Sequence, residues 1–127
     1  MNEDQIEEIE LGIKNGVDVT IYAKKEFDWR QMQEIRWGLE NGLDVSIYAS
    51  PKFYSDKMFQ IRWGLEKGLD VSIYAKHMFS ARQMEQIRDG LASGLDVSIY
   101  ARVEISYSRM EEIRFRLVEE KKWTNNK

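Results

Sequence analysis

The stretch Gln31–Ala49, QMQEIRWGLENGLDVSIYA, returns 26 residues later as Lys57–Ala75, KMFQIRWGLEKGLDVSIYA, and again as Gln83–Ala101, QMEQIRDGLASGLDVSIYA. No insertion disturbs the spacing. Equal copies without gaps mean that each unit meets its neighbours in the same way, which is the signature of a stacked repeat. Outward from these three, a degenerate first copy runs through Ile6, Ile9, Gly12, Ile13, Gly16, Val17 and Asp18. A last copy has Met110, Ile113, Arg114 and Leu117, but Arg116 where the others have glycine. These outer copies read as caps. The chain is thus one repeat domain, 1–127, with copies at about 2–27, 28–53, 54–79 and 80–105, a cap over 106–123 and a polar tail at 124–127.

Within one unit, Met32, Ile35 and Leu39 stand at i, i+3 and i+7 and share one helical face, which predicts a helix of about three turns. Asp28 with Gln31, and Ser80 with Gln83, are capping-box pairs whose side chains satisfy free backbone N–H groups at its start. The middle copy has Tyr54 there, so Ser55 is expected to cap one residue late. Phe27, Phe53, Phe79 and Ile105 precede the cap at staple spacing from Met32, Met58, Met84 and Met110. Gly42, Gly68 and Gly94 end the helix, where a left-handed residue costs least. Gly38, Gly64 and Gly90 sit before that end and suggest close approach of backbones between helices.

The Asp-Val-Ser-Ile-Tyr-Ala segment is open to two readings. The alternation of Val45, Ile47 and Ala49 fits a short strand, which would give an α/β, leucine-rich-repeat-like solenoid. Against it, Asp44 is a good N-cap and Pro51 punctuates the chain just after the segment, which favours a helix of one to two turns. The fold expected is an all-α solenoid of four units, each with one long and one short helix, closed by a C-terminal cap helix.

Composition narrows the function classes. A hydrophobic fraction of 43% with 32% charged residues suits a soluble globular chain, and there is no cysteine for disulfides, thiolate metal sites or nucleophilic catalysis. The acidic N-terminus is unlike a signal peptide, and no apolar run approaches the ~18 residues of a spanning helix, so a cytoplasmic protein without a membrane partner is expected. A net charge of −3 argues neither for electrostatic capture of nucleic acid nor for its mimicry. The single histidine, His77, replaces Lys25, Pro51 and Val103 of the other copies and reads as a loop residue. Carboxylate pairs such as Glu111–Glu112 and Glu119–Glu120 lie on exposed helix faces, and no phosphate loop or zinc spacing is present. No catalytic residue, cofactor or metal is therefore expected.

Two series recur once per copy. Arg36, Arg62, Arg88 and Arg114 become a ladder on stacking, and the structural reading pairs each with Asp18, Asp44, Asp70 or Asp96, or with a helix-end carbonyl. The rival reading is a row of phosphate contacts for nucleic acid. Tyr22, Tyr48, Tyr74 and Tyr100 are expected in the core or between repeats.

Recognition is sought where copies differ. Positions 29, 33 and 37 and their equivalents form a second stripe about 100° around the helix from the Met–Ile–Leu face. It holds Trp29, Gln33 and Trp37, then Ser55, Phe59 and Trp63, then Ala81, Glu85 and Asp89, then Tyr107, Glu111 and Phe115. Trp29, Trp37, Phe59, Trp63, Tyr107 and Phe115 are the candidate partner-binding residues, because aromatic anchors dominate interface energetics.

The consensus shown at Gln31–Ala49 and Gln83–Ala101 resembles 26-residue repeats of uncharacterised bacterial and mobile-element proteins. The architecture is also similar to leucine-rich-repeat-variant solenoids, although their Asn-Pro signature is absent. These resemblances imply a right-handed curved stack, and the first implies an inhibitor of a host defence enzyme, in the manner of anti-CRISPR proteins, as one alternative function. The residues themselves point to a non-enzymatic protein-binding module, with a homo-oligomer through the same stripe and nucleic-acid binding along the arginines as further alternatives.

Overall fold

The computed structural model describes residues 1–125. Five helices succeed one another: α1 (Glu3–Lys14), α2 (Trp29–Glu40), α3 (Ser55–Glu66), α4 (Ala81–Ala92) and α5 (Tyr107–Asn125). Each of the first four is trailed by a single 3-10 turn, at Val19–Ile21, Val45–Ile47, Val71–Ile73 and Val97–Ile99, and there is no strand among the described residues. Consecutive helices pack on one another in the same way throughout, so the chain is an all-α solenoid.

The short element is three residues, shorter than a one- to two-turn helix. Asp44 caps it by accepting the Ser46 N–H at 3.1 Å, and the equivalent aspartates do the same. The chain leaves the helical region at Tyr48 (φ −131°), which turns its ring inward. That inward turn is what stops the element.

Asp28 with Gln31 and Ser80 with Gln83 form the expected capping boxes, and Asn2 with Gln5 forms another that was not expected. At α3 the expectation fails. Tyr54 stands at the N-cap and offers no side-chain bond, and Ser55 is the first helical residue rather than a displaced cap. At the other end, Gly42 takes φ +71°, the Leu43 N–H bonds the Gly38 carbonyl at 2.9 Å, and the Gly42 N–H bonds the Leu39 carbonyl at 3.1 Å. This is the paired closure that lets a helix stop and the chain turn back.

Gly38 and its equivalents do not bring helices together. A Cβ at Gly38 would collide with the hydroxyl of Tyr48 and stand 2.7 Å from Val45 Cγ1, both from the same unit's 3-10 turn. Tyr48 is fully buried, and its hydroxyl donates to the Glu34 carbonyl at 2.6 Å. Tyr22, Tyr74 and Tyr100 repeat the arrangement, so the tyrosines lock each turn onto its own helix. Around them Met32, Ile35, Met58, Ile61, Met84 and Ile87 are also fully buried, each contributing roughly 1.5–3 kcal/mol.

The long helices run parallel. Near their starts Gln31 Nε2 donates to the Phe53 carbonyl at 2.8 Å, and near their ends Asn41 Nδ2 donates to Glu66 Oε1 at 2.9 Å. The stack closes at α5, where Arg116 replaces the glycine, no tyrosine returns and the helix simply continues. There Lys121 Nζ donates to the Ser93 carbonyl at 2.9 Å, covering the end of α4. Thr124 and Asn125, the first residues of the polar tail expected at 124–127, belong to α5; residues 126 and 127 lie outside the described residues. No helix among the described residues is long and apolar enough to cross a membrane.

Candidate functional site

The arginine series sits at mid-helix and turns toward the preceding unit. Arg36 Nε meets Glu8 Oε2 at 2.8 Å while its Nη1 meets Glu40 Oε2 at 2.9 Å. Arg62 repeats this with Glu34 and Glu66, both at 2.6 Å. Arg88 takes Gln60 at 2.7 Å and its neighbour Asp89 at 2.9 Å, and Arg114 takes Gln86 at 2.9 Å. The pairing with Asp18, Asp44, Asp70 and Asp96 is therefore corrected. Those carboxylates cap the 3-10 turns at the opposite end of the helix, while the mid-helix guanidinium lies level with the carboxylate or amide 28 residues upstream. Burial pushes the Glu34 carboxyl above its ordinary range despite the bond and charge of Arg62.

The outer faces of the same guanidiniums meet the variable stripe. Arg62 lies 5.1 Å from the ring centre of Trp37 and 5.6 Å from that of Phe59. Arg88 lies 5.5 Å from Trp63, whose ring is 5.9 Å from that of Phe59. Arg36 also reaches Trp37, and Arg114 lies 4.7 Å from Phe115. Arginine ladder and aromatic stripe are thus one structure, each cation held by an acceptor on one side and by aromatic faces on the other.

Of the six aromatics singled out, Trp29, Trp37, Phe59 and Trp63 gather on α2 and α3. Tyr107 and Phe115 stand apart on α5, because α4 has Ala81, Glu85 and Asp89 at the intervening positions. Phe59 is 37% and Trp63 39% exposed, far more than the fully buried Met58 and Ile61 of the same helix, while Trp29 and Trp37 are half-buried.

An open groove of about 350 Å³ runs across the first turns of α2 and α3 to the start of α4. Trp29 and Phe59 supply its aromatic walls, and Gln33, Ser55 and Ala81 line it with smaller side chains. The first helical position of successive units reads Trp29, Ser55, Ala81 and Tyr107, so two small residues lie between two large ones. Arg30 and Arg82 flank this run, the first 5.2 Å from the Trp29 ring centre and the second 5.1 Å from that of Tyr107. Neither arginine stood out in the sequence, since neither recurs in every copy. A comparison of helix starts in register finds both.

The fold and this surface define the class: a helical repeat protein with an open groove on its variable face. None of the protein-family models, curated proteins or solved structures compared with the chain matches it.

Proposed function

We propose that this chain is a non-enzymatic protein-binding module that receives its partner in the groove walled by Trp29 and Phe59. One observation carries the reading: the Met and Ile scaffold positions of α2, α3 and α4 are all fully buried, whereas at the positions where these units differ Phe59 and Trp63 stay exposed and Trp29 half-exposed, with Trp29 and Phe59 walling a groove. Such rings give much contact area with few rotors to freeze, and the ion pairs beneath them fix their orientation before a partner arrives. The arginines suit this role better than phosphate binding, because Arg36 and Arg62 are nearly buried and already face carboxylates.

The test is affinity capture with the intact protein beside the variant carrying Trp29→Ala and Phe59→Ala, both verified as folded by circular dichroism. Partners captured by the intact protein are expected to disappear from the variant. An unchanged set of partners overturns the reading.

A further inference from the structure

The groove lies on one edge of a molecule whose charge is divided across the helix axes. Because the helices run parallel, their starts and the loops before them share an edge, residues 23–31, 49–57, 75–83 and 101–109, with nine Lys and Arg side chains against four carboxylates. The opposite edge, residues 14–22, 40–48, 66–74 and 92–100, has six carboxylates against two lysines. The aligned helix dipoles add to this division with the same sign, positive where the groove opens. Among the described residues no ion pair engages Lys24, Arg30, Lys52, Lys76, Arg82 or Arg102. The overall charge of −3 conceals this edge.

Resting on the protein-binding reading, we propose that the partner is an acidic segment of polypeptide: one large apolar side chain seated between Trp29 and Phe59, with carboxylates on both sides of it. Charge complementarity selects it. Arg30 lines the groove, 5.2 Å from the Trp29 ring centre, and Arg82 lies just past it, next in sequence to the lining Ala81, with its Nη1 donating to the Tyr107 hydroxyl at 2.9 Å and its other N–H groups left to meet a carboxylate. Two carboxylates also line the groove: Glu34 is already held by Arg62, and Asp56, which enters no ion pair among the described residues, keeps the partner's carboxylates away from α3 and toward Arg30 and Arg82. A polyanion without an apolar anchor would leave the aromatic walls unused, which favours a peptide over a nucleic acid strand.

The experiment is selection of a random displayed peptide library on the immobilised intact chain, repeated on Trp29→Ala/Phe59→Ala and on Arg30→Glu/Arg82→Glu. Enriched peptides are expected to combine one Trp, Phe, Leu or Met with an excess of Asp and Glu. Their binding is expected to fall about tenfold or more in the arginine variant and to weaken as salt rises. Enriched peptides with no acidic excess that still need Trp29 and Phe59 would overturn the charge inference and leave the groove reading standing. Peptides held equally by the aromatic variant, or no enrichment at all, would overturn both. Displacement of the peptides by a short oligothymidylate that itself binds more tightly would assign the edge to nucleic acid and overturn the proposal.

Discussion

The hydroxyl of Tyr48 occupies the space that a side chain on Gly38 would need, and it does so while donating to the carbonyl of Glu34, one turn earlier in the same helix. The glycine is therefore part of a lock between helix and turn, and its poor helix propensity is the cost of that lock. Gly38→Ala is expected to destabilise the protein by about 1–3 kcal/mol through overpacking, although propensity alone would favour alanine by about 1 kcal/mol. Tyr48→Phe is expected to cost about 1 kcal/mol for the lost hydrogen bond. Combined, the two should cost less than their sum, because the second removes the nearest clashing atom, and rescue should stay partial because Val45 Cγ1 remains 2.7 Å away. Urea denaturation of the four proteins checks this, and strict additivity would refute the lock.

The start of α3 is the one helix start among α1–α4 without a side-chain cap, since Tyr54 and Lys57 stand where Asp28 and Gln31 stand one unit earlier. Lys57 instead reaches the His77 carbonyl at 2.9 Å, an exposed contact, whereas Gln31 and Gln83 bond the carbonyls of Phe53 and Ile105. Restoring the pair with Tyr54→Asp and Lys57→Gln is expected to stabilise the protein by about 1 kcal/mol. The urea midpoint should rise with no change in slope. A midpoint that stays put or falls would show that capping is not what distinguishes this unit.

Much of this architecture is legible in one dimension. The face made by Met32, Ile35 and Leu39, the stop at Gly42 and the cap at Asp28 each depend on residues within a few positions of one another, and all three appear where the pattern places them. Between a strand and a short helix, the cap at Asp44 was the deciding local signal, and Val45 and Ile47 were the misleading one. The partner of Arg36 was not legible in this way. Glu8, Glu34, Gln60 and Gln86 recur in register, but whether an arginine reaches this acceptor series or the aspartates depends on the axial offset of neighbouring helices, and that offset arises only on stacking. The six aromatics were found as a stripe, yet their division between α2–α3 and α5 comes from what α4 puts between them.

Arg62 and Glu34 form a pair that is cheap to neutralise and costly to break. Arg62→Met leaves the buried Glu34 carboxylate without its cation and is expected to cost about 3–5 kcal/mol. Glu34→Gln should cost far less at neutral pH, because Gln60 and Gln86 already hold Arg88 and Arg114 at the equivalent positions. Burial raises the folded pKa of Glu34 above its unfolded value, so its contribution is full below about pH 4.3 and is lost as pH rises through the folded value. The stability of Glu34→Gln relative to the parent is therefore expected to improve between about pH 4 and neutrality. Paired urea titrations across that window check the direction, and a relative stability that declines instead would refute it.

Burial also pushes the phenols of Tyr22 and Tyr100 up to about 12, with Arg36 and Arg114 pulling back in part, and it raises Tyr48 and Tyr74 as well. Each folded value lies above the unfolded one of about 10. Their contribution to stability is thus intact below about pH 10 and is lost as pH climbs through about 12. Alkaline titration monitored by phenolate absorbance and far-ultraviolet circular dichroism together should show these four ionising in step with loss of helix. Ionisation of all six tyrosines while the helical signal persists would contradict their burial.

If units stack through one repeated interface, a duplicated unit should insert without disturbing either side. Repeating residues 28–53 immediately after Phe53 would place a second Gln31 on a second Phe53 carbonyl and a second Arg36 beside Glu34, contacts of the same kind as those between α2 and α3. The longer chain is expected to unfold in one transition at a higher urea midpoint, with a slope greater by about a fifth in proportion to its length. Because the inserted unit brings its own Trp29 next to Phe59, the groove is rebuilt and partner capture should survive. A lower midpoint, or a separate transition for the added unit, would mean that stability comes from the particular neighbours of each helix rather than from the repeat.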